Sequence, residues 1–124
     1  MIDHLCLQVT DVAVSRAFYE AILAPLGLRA AYADGAGIGF ASGPRTPFWL
    51  APATAEERRE LHLAFTAPDR GAVHAFHNAA VTIGAEILNA PRLFPEYHRD
   101  YFGCFVRDPD GHNVEAVCHQ PETP

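Results

Sequence analysis

Three side chains are able to hold a divalent metal: His4 and His62, which the chain's own repetition picks out, and Glu115, which the phase of the last strand picks out. His4 opens His4-Leu5-Cys6-Leu7-Gln8-Val9-Thr10-Asp11 and His62 opens His62-Leu63-Ala64-Phe65-Thr66-Ala67-Pro68-Asp69, so histidine, leucine and aspartate recur at matched places. The match runs on through Ala17/Ala75, Phe18/Phe76 and Ala21/Ala79. One module is used twice, and pseudo-symmetry would bring the two imidazoles together. Near the end of the chain Val114, Ala116 and Cys118 share one strand face, while Asn113, Glu115 and Val117 share the other. With the apolar face against helices, Glu115 points away from them alongside His4 and His62. Two neutral imidazoles and a carboxylate, with positions left for water or substrate, suit one divalent ion: Zn, Ni, Mn or Fe(II).

The elements that must position these groups follow from periodicity. In residues 2–10 Leu5, Leu7 and Val9 alternate with His4, Cys6, Gln8 and Thr10, the period of a half-buried strand. Asp11 caps a helix with apolar positions at Val14, Phe18, Ala21 and Ile22, closed by Pro25 and Gly27. Strands are expected at 28–34, 36–41 and 46–51. Module two repeats the order: a strand at 60–67 with Leu61, Leu63 and Phe65 on one face, then a helix capped by Asp69. That helix would bury Val73, Phe76, Ala80 and Ile83 before Gly84. Strands at 85–89, 102–107 and 112–118 complete it, the last two joined by Asp108-Pro109-Asp110-Gly111, a strong hairpin signal. The expected fold class is α+β: two βαβββ modules, 1–51 and 60–119, joined by a polar linker at 52–59 within a single domain, 1–124.

Composition excludes several partners. The charge of −6 comes with nine basic residues, all arginine and scattered, which argues against nucleic acid. No apolar run is long enough to span a bilayer. Three cysteines, Cys6, Cys104 and Cys118, lie in no metal-type spacing, and no charged segment followed by an apolar run opens the chain, so a reducing, cytoplasmic setting is expected.

Residues 89–101 form an aperiodic stretch without counterpart in module one, and such loops carry either surface packing or a lid over a site. Within it Tyr97 is a candidate for substrate binding, and His98 and Tyr101 are candidates for acid/base catalysis, an unperturbed imidazole titrating near about 6.5. Trp49 reads as a pocket wall or as core. Cys6 reads as a small buried hydrophobe. Of His74 and His77 on the second helix, one should face solvent and the other flank Phe76. His112 and His119 read as surface groups near strand ends.

The residues resemble the vicinal oxygen chelate superfamily, which includes glyoxalase I, fosfomycin-resistance transferases, extradiol dioxygenases and bleomycin-resistance proteins. The resemblance runs from Ile2-Asp3-His4 with Asp11, Ser15 and Phe18-Tyr19, through His62, to Phe105-Val106-Arg107-Asp108-Pro109-Asp110-Gly111-His112-Asn113-Val114-Glu115. It implies paired βαβββ modules forming a cup-shaped mixed sheet with helices on the outer face, around a divalent metal held by His4, His62 and Glu115. Glyoxalase I enzymes usually add a fourth ligand from the last strand of the first module. Aligning Thr46-Pro47-Phe48-Trp49-Leu50 with His112-Asn113-Val114-Glu115-Ala116 puts Trp49 there, and tryptophan cannot ligate. The resemblance implies a glyoxalase-like lyase or isomerase chelating vicinal oxygens of a small polar substrate. Its alternatives are an Fe(II) extradiol-type dioxygenase and a non-catalytic binding protein of the bleomycin-resistance kind. A small-molecule substrate and a homodimer, closed within one chain or by exchange of modules, are the partners it suggests.

Overall fold

The structure, a computed structural model, describes residues 2–55 and 59–122. The chain divides into two compact units, residues 1–59 and 60–124.

The first unit runs β1 (Leu5–Val9), α1 (Val12–Leu23), a 3-10 turn (Ala24–Leu26), β2 (Arg29–Asp34), β3 (Gly37–Ser42) and β4 (Arg45–Pro52). Its sheet has the order β1-β4-β3-β2, with β1 parallel to β4 and the other pairs antiparallel. Asp11 caps α1 by accepting from the Val14 amide, satisfying a donor that the first turn leaves free. The helix lays Phe18, Tyr19, Ile22 and Leu23 on the sheet, where Tyr19 packs against Phe48 at 4.9 Å between ring centroids. Each such buried side chain contributes about 1.5–3 kcal/mol relative to exposure. Because strand side chains alternate, burial of Phe48 and Leu50 beneath α1 sends Trp49 to the opposite face.

The second unit runs β5 (His62–Thr66), α2 (Arg70–Thr82), β6 (Ile87–Leu93), β7 (Phe102–Arg107) and β8 (Asn113–Cys118). The order is β5-β8-β7-β6, with β5 parallel to β8, so each unit is βαβββ with a four-stranded mixed sheet. Asp69 caps α2 through the Ala72 amide. Val73, Phe76 and Ala80 pack against Cys104, Val106, Val114 and Ala116, all buried. The β7–β8 turn closes with the Gly111 amide donating to the Asp108 carbonyl and with Gly111 at φ +84°, a left-handed conformation that favours glycine.

Several expectations are corrected. Val14, Leu61 and Ile83 are exposed, because Val14 lies in the first turn of α1, Leu61 precedes β5 and Ile83 follows the last turn of α2. β4 extends to Pro52, so the linker expected from 52 starts later, and residues 56–58 of it lie outside the described residues. The stretch from 89 is strand as far as Leu93: β6 is an edge strand whose register shifts between Asn89 and Arg92 absorb Pro91. Among the described residues no helix is long and apolar enough to cross a membrane.

Candidate functional site

The second unit brings two of the expected ligands together. His62 begins β5 and Glu115 sits in the middle of β8, where Ala64 and Glu115 are paired in parallel register. His62 and Glu115 therefore share a face, the one away from α2. The Nδ1 of His62 lies 3.2 Å from the Asn113 carbonyl oxygen. A carbonyl can only accept, so Nδ1 carries the proton and Nε2 presents a lone pair. That Nε2 stands 3.0 Å from Oε1 of Glu115. The approach lacks the alignment of a hydrogen bond, and Oε1 is buried with no hydrogen-bond partner. Two acceptors facing each other at this distance call for positive charge. Ligand atoms about 2.0–2.2 Å from one ion stand roughly 3.3–3.6 Å apart in a tetrahedral shell and roughly 2.8–3.1 Å apart at the right angles of an octahedral one, so the pair fits a shared divalent metal with octahedral angles.

The other carboxylate oxygen is engaged. The Tyr101 hydroxyl donates to Oε2 of Glu115. Burial, and then this carboxylate, raise the Tyr101 phenol above its ordinary range, so it stays a donor. Gly103 makes room beside them: a Cβ there would lie 3.2 Å from Oε2. Phe105 stacks on the His62 ring with centroids 5.7 Å apart. Glu115 is fully buried although it points away from α2. The reason lies in the loop before β7, whose Tyr101 closes over it. Beneath, burial and then the Glu115 charge push the Cys104 thiol up to about 12.

The first unit holds His4. Its Nδ1 lies 2.8 Å from Oδ1 of Asp3, whose carboxyl is held below its usual range by this hydrogen bond and by the imidazole's charge. The carboxylate can only accept, so Nδ1 is the donor. A groove of about 690 Å³ opens beside it, lined in part by Asp3, His4, Cys6, Thr46, Trp49 and Pro52. That volume is in the range of small-molecule sites. Trp49 donates from Nε1 to the Thr46 carbonyl at 3.0 Å and lies over Gly39, where a Cβ would come within 2.8 Å of the indole. Cys6 is exposed in this groove rather than buried, because its strand phase is that of His4 and not of Leu7.

A sequence profile described as the Glyoxalase/Bleomycin resistance protein/Dioxygenase superfamily matches residues 1–116. The chain belongs to this superfamily. Among solved structures, a glyoxalase/bleomycin resistance protein from Albidiferax ferrireducens T118 is 28% identical, with a TM-score of 0.77 over 95% of this chain and 97% of that one. A lactoylglutathione lyase from Agrobacterium tumefaciens, 20% identical, shares the fold with a TM-score of 0.71 over 95% and 92% of the two chains. A glyoxalase/bleomycin resistance protein/dioxygenase family enzyme from Burkholderia phytofirmans PsJN does so at 15% identity, with a TM-score of 0.74 over 96% and 98%. No curated protein matches the chain.

In this superfamily member the second unit gathers His62, Glu115, Tyr101, Tyr97 and His98, with Tyr97 and His98 each edge-on to Tyr101 at 5.0 and 5.3 Å. His4 and Trp49 belong to the first unit. Among the described residues no group of three or more His, Cys, Asp or Glu converges on one point. Sequence reasoning missed the contacts of two further histidines. His119, expected as a surface group, is exposed yet bonded to His98, Nδ1 to Nε2 at 2.7 Å. The signal was the alternation itself, since His119 continues the phase of Glu115 and Val117. His112, also expected at the surface, is buried, with its Nδ1 accepting from the Leu61 amide at 2.9 Å. The alternation carried the signal here too, since His112 shares the phase of Val114 and Ala116.

Proposed function

We propose that this chain is a glyoxalase-like metal-dependent enzyme, a lyase or isomerase, acting on a small polar substrate with two neighbouring oxygens. The observation that carries it is the pair of facing acceptors, the half-exposed His62 Nε2 and the buried Glu115 Oε1, 3.0 Å apart without a proton aligned between them. His62 and Glu115 would hold one divalent ion, Zn, Ni, Mn or Fe(II), with His4 supplied by a first unit, the chain's own or that of a second copy. Such an ion supplies Lewis acidity toward two adjacent substrate oxygens.

The chain's own residues do the rest. The Asn113 carbonyl keeps the proton of His62 on Nδ1, and Tyr101 holds one carboxylate oxygen so that Glu115 presents the other. His98, hydrogen-bonded to His119 and exposed, is placed to exchange protons with solvent. Trp49 and Tyr97 would supply apolar walls. Elemental analysis of the purified protein should find about one divalent ion per chain, lost in the double variant H4A/H62A. Stoichiometric metal in that variant would overturn the ligand set.

One observation favours a second reading, sequestration of a small ligand without turnover. Trp49 occupies the register position that Glu115 holds in the other unit, putting an aromatic surface in place of a carboxylate. His98→Gln separates the two readings. An enzyme loses turnover far more than affinity. A binder returns its ligand chemically unaltered, with affinity following Trp49 and Tyr97.

A further inference from the structure

The buried imidazole of His112 has no part in the site as described, yet it touches the strand that carries His62. Asp108 fixes the turn beneath it: Oδ1 accepts from the Asp110 amide at 2.9 Å and the His112 amide at 2.8 Å. From that base the His112 ring reaches across to β5, and its Nδ1 accepts from the Leu61 amide. An amide can only donate, so the proton of the neutral ring is on Nε2, and Nε2 is buried without a partner. An apolar side chain would fill this place without an orphaned donor. What the imidazole adds is the acceptor for Leu61, a bond that lengthens the β5–β8 ladder by one rung.

That rung lies immediately before His62. The Leu61 carbonyl accepts from the Asn113 amide at 2.9 Å, and the Asn113 carbonyl faces His62 Nδ1. Residues 61 and 62 are thus tied to 112 and 113 by three hydrogen bonds, and the His112 ring makes the outermost. Without it the first residues of β5 sit at a free strand end, where fraying is easiest. We propose that His112 is a positioning residue for His62: it clamps the start of β5 so that His62 keeps its bond to Asn113 and its Nε2 toward Glu115. This rests on the reading of His62 as a metal ligand.

Zn(II) titration of the full chain, beside nitrogen NMR of the His62 ring, tests it. His112→Phe removes the acceptor and fills the space; His112→Asn returns an acceptor oxygen. H112F should bind Zn(II) about 10-fold more weakly than the native chain, and H112N should recover most of that loss. In H112F the His62 ring should also shift from the Nδ1–H form toward the mixture of a free imidazole. A merely structural role would lower stability without moving either readout. Native affinity with an unchanged His62 tautomer in folded H112F overturns the proposal, as does H112N binding as weakly as H112F. Where H112F does not fold, Leu61→Pro removes the donor instead and should give the same loss, with native affinity again overturning the idea. If the native chain itself binds none of Zn(II), Ni(II), Mn(II) and Fe(II), the proposed function fails, and the His62 tautomer alone decides on His112.

Discussion

Trp49 and Glu115 occupy the same rung of their respective sheets. Trp49 pairs with Cys6 on β1 and Gly39 on β3, while Glu115 pairs with Ala64 on β5 and Phe105 on β7. The repeated module therefore carries a ligand-type residue at this rung once, and a large aromatic once. In the first unit the neighbour is glycine because the indole lies across it; in the second, Phe105 stacks on His62 instead.

This pairing makes Gly39→Ala a test of the groove. The added Cβ would come within 2.8 Å of the indole and of the Thr46 methyl, so the ring must move. Trp49 is the chain's one tryptophan, and its fluorescence reports the displacement directly. We expect a shifted emission maximum and a loss of about 1–3 kcal/mol in stability. An unchanged spectrum would show that the indole is not held against Gly39.

Glu115→Gln should separate metal binding from folding. The amide can still accept from Tyr101 and can donate to the lone pair on His62, so the facing acceptors become a hydrogen-bonded pair. Metal affinity should fall on the order of 100-fold or more. The melting temperature of the metal-free protein should hold or rise, because a buried charge with an unpaired oxygen has been removed. A large drop in melting temperature would contradict this.

Tyr101→Phe takes the hydroxyl donor from Oε2 of Glu115 and leaves that oxygen buried. Denaturant unfolding should show a loss of about 1–3 kcal/mol. Metal titration should show a roughly 10- to 100-fold weaker site, since the ligand loses the bond that orients it.

Alkaline pH should destabilise the fold through Cys104. Its thiol is pushed from 9.0 up to about 12 in the folded chain, by burial first and the Glu115 charge second. Above pH 9 the unfolded chain has released a proton that the folded chain retains, so stability falls with rising pH until the folded group ionises. The slope is about 1.4 kcal/mol per pH unit for one group. Tyr101, raised for the same two reasons, adds to the fall only above its ordinary value of 10.0. Unfolding measured from pH 8 to 11 should be shallower in Cys104→Ala, and parallel profiles would show that the thiol is not the group responsible.

Much of the architecture was legible because both regular periods survive in the residues. Leu7, Val9, Phe48 and Leu50 on one side and Val114, Ala116 and Cys118 on the other are buried where alternation placed them. Asp11 and Asp69 cap the helices that their spacing implied. Cys6 was also written in that alternation, but residue type outweighed phase, because cysteine suggested burial. β6 was ended at 89 because residues 89–101 show no clear period, whereas an edge strand with register shifts tolerates Pro91.

What the sequence determined by itself is which face each side chain takes, since a strand's period of two leaves no choice once its apolar partners are buried. It therefore put His62 and Glu115 on one side of a sheet, and Trp49 opposite Phe48 and Leu50. Tertiary structure decided the rest: that Tyr101 closes over Glu115 and leaves one carboxylate oxygen for His62, and that His112 turns inward to the Leu61 amide. Those contacts join residues 14 and 51 positions apart in the chain. They depend on how a loop and a turn settle against finished strands, and no local period encodes that.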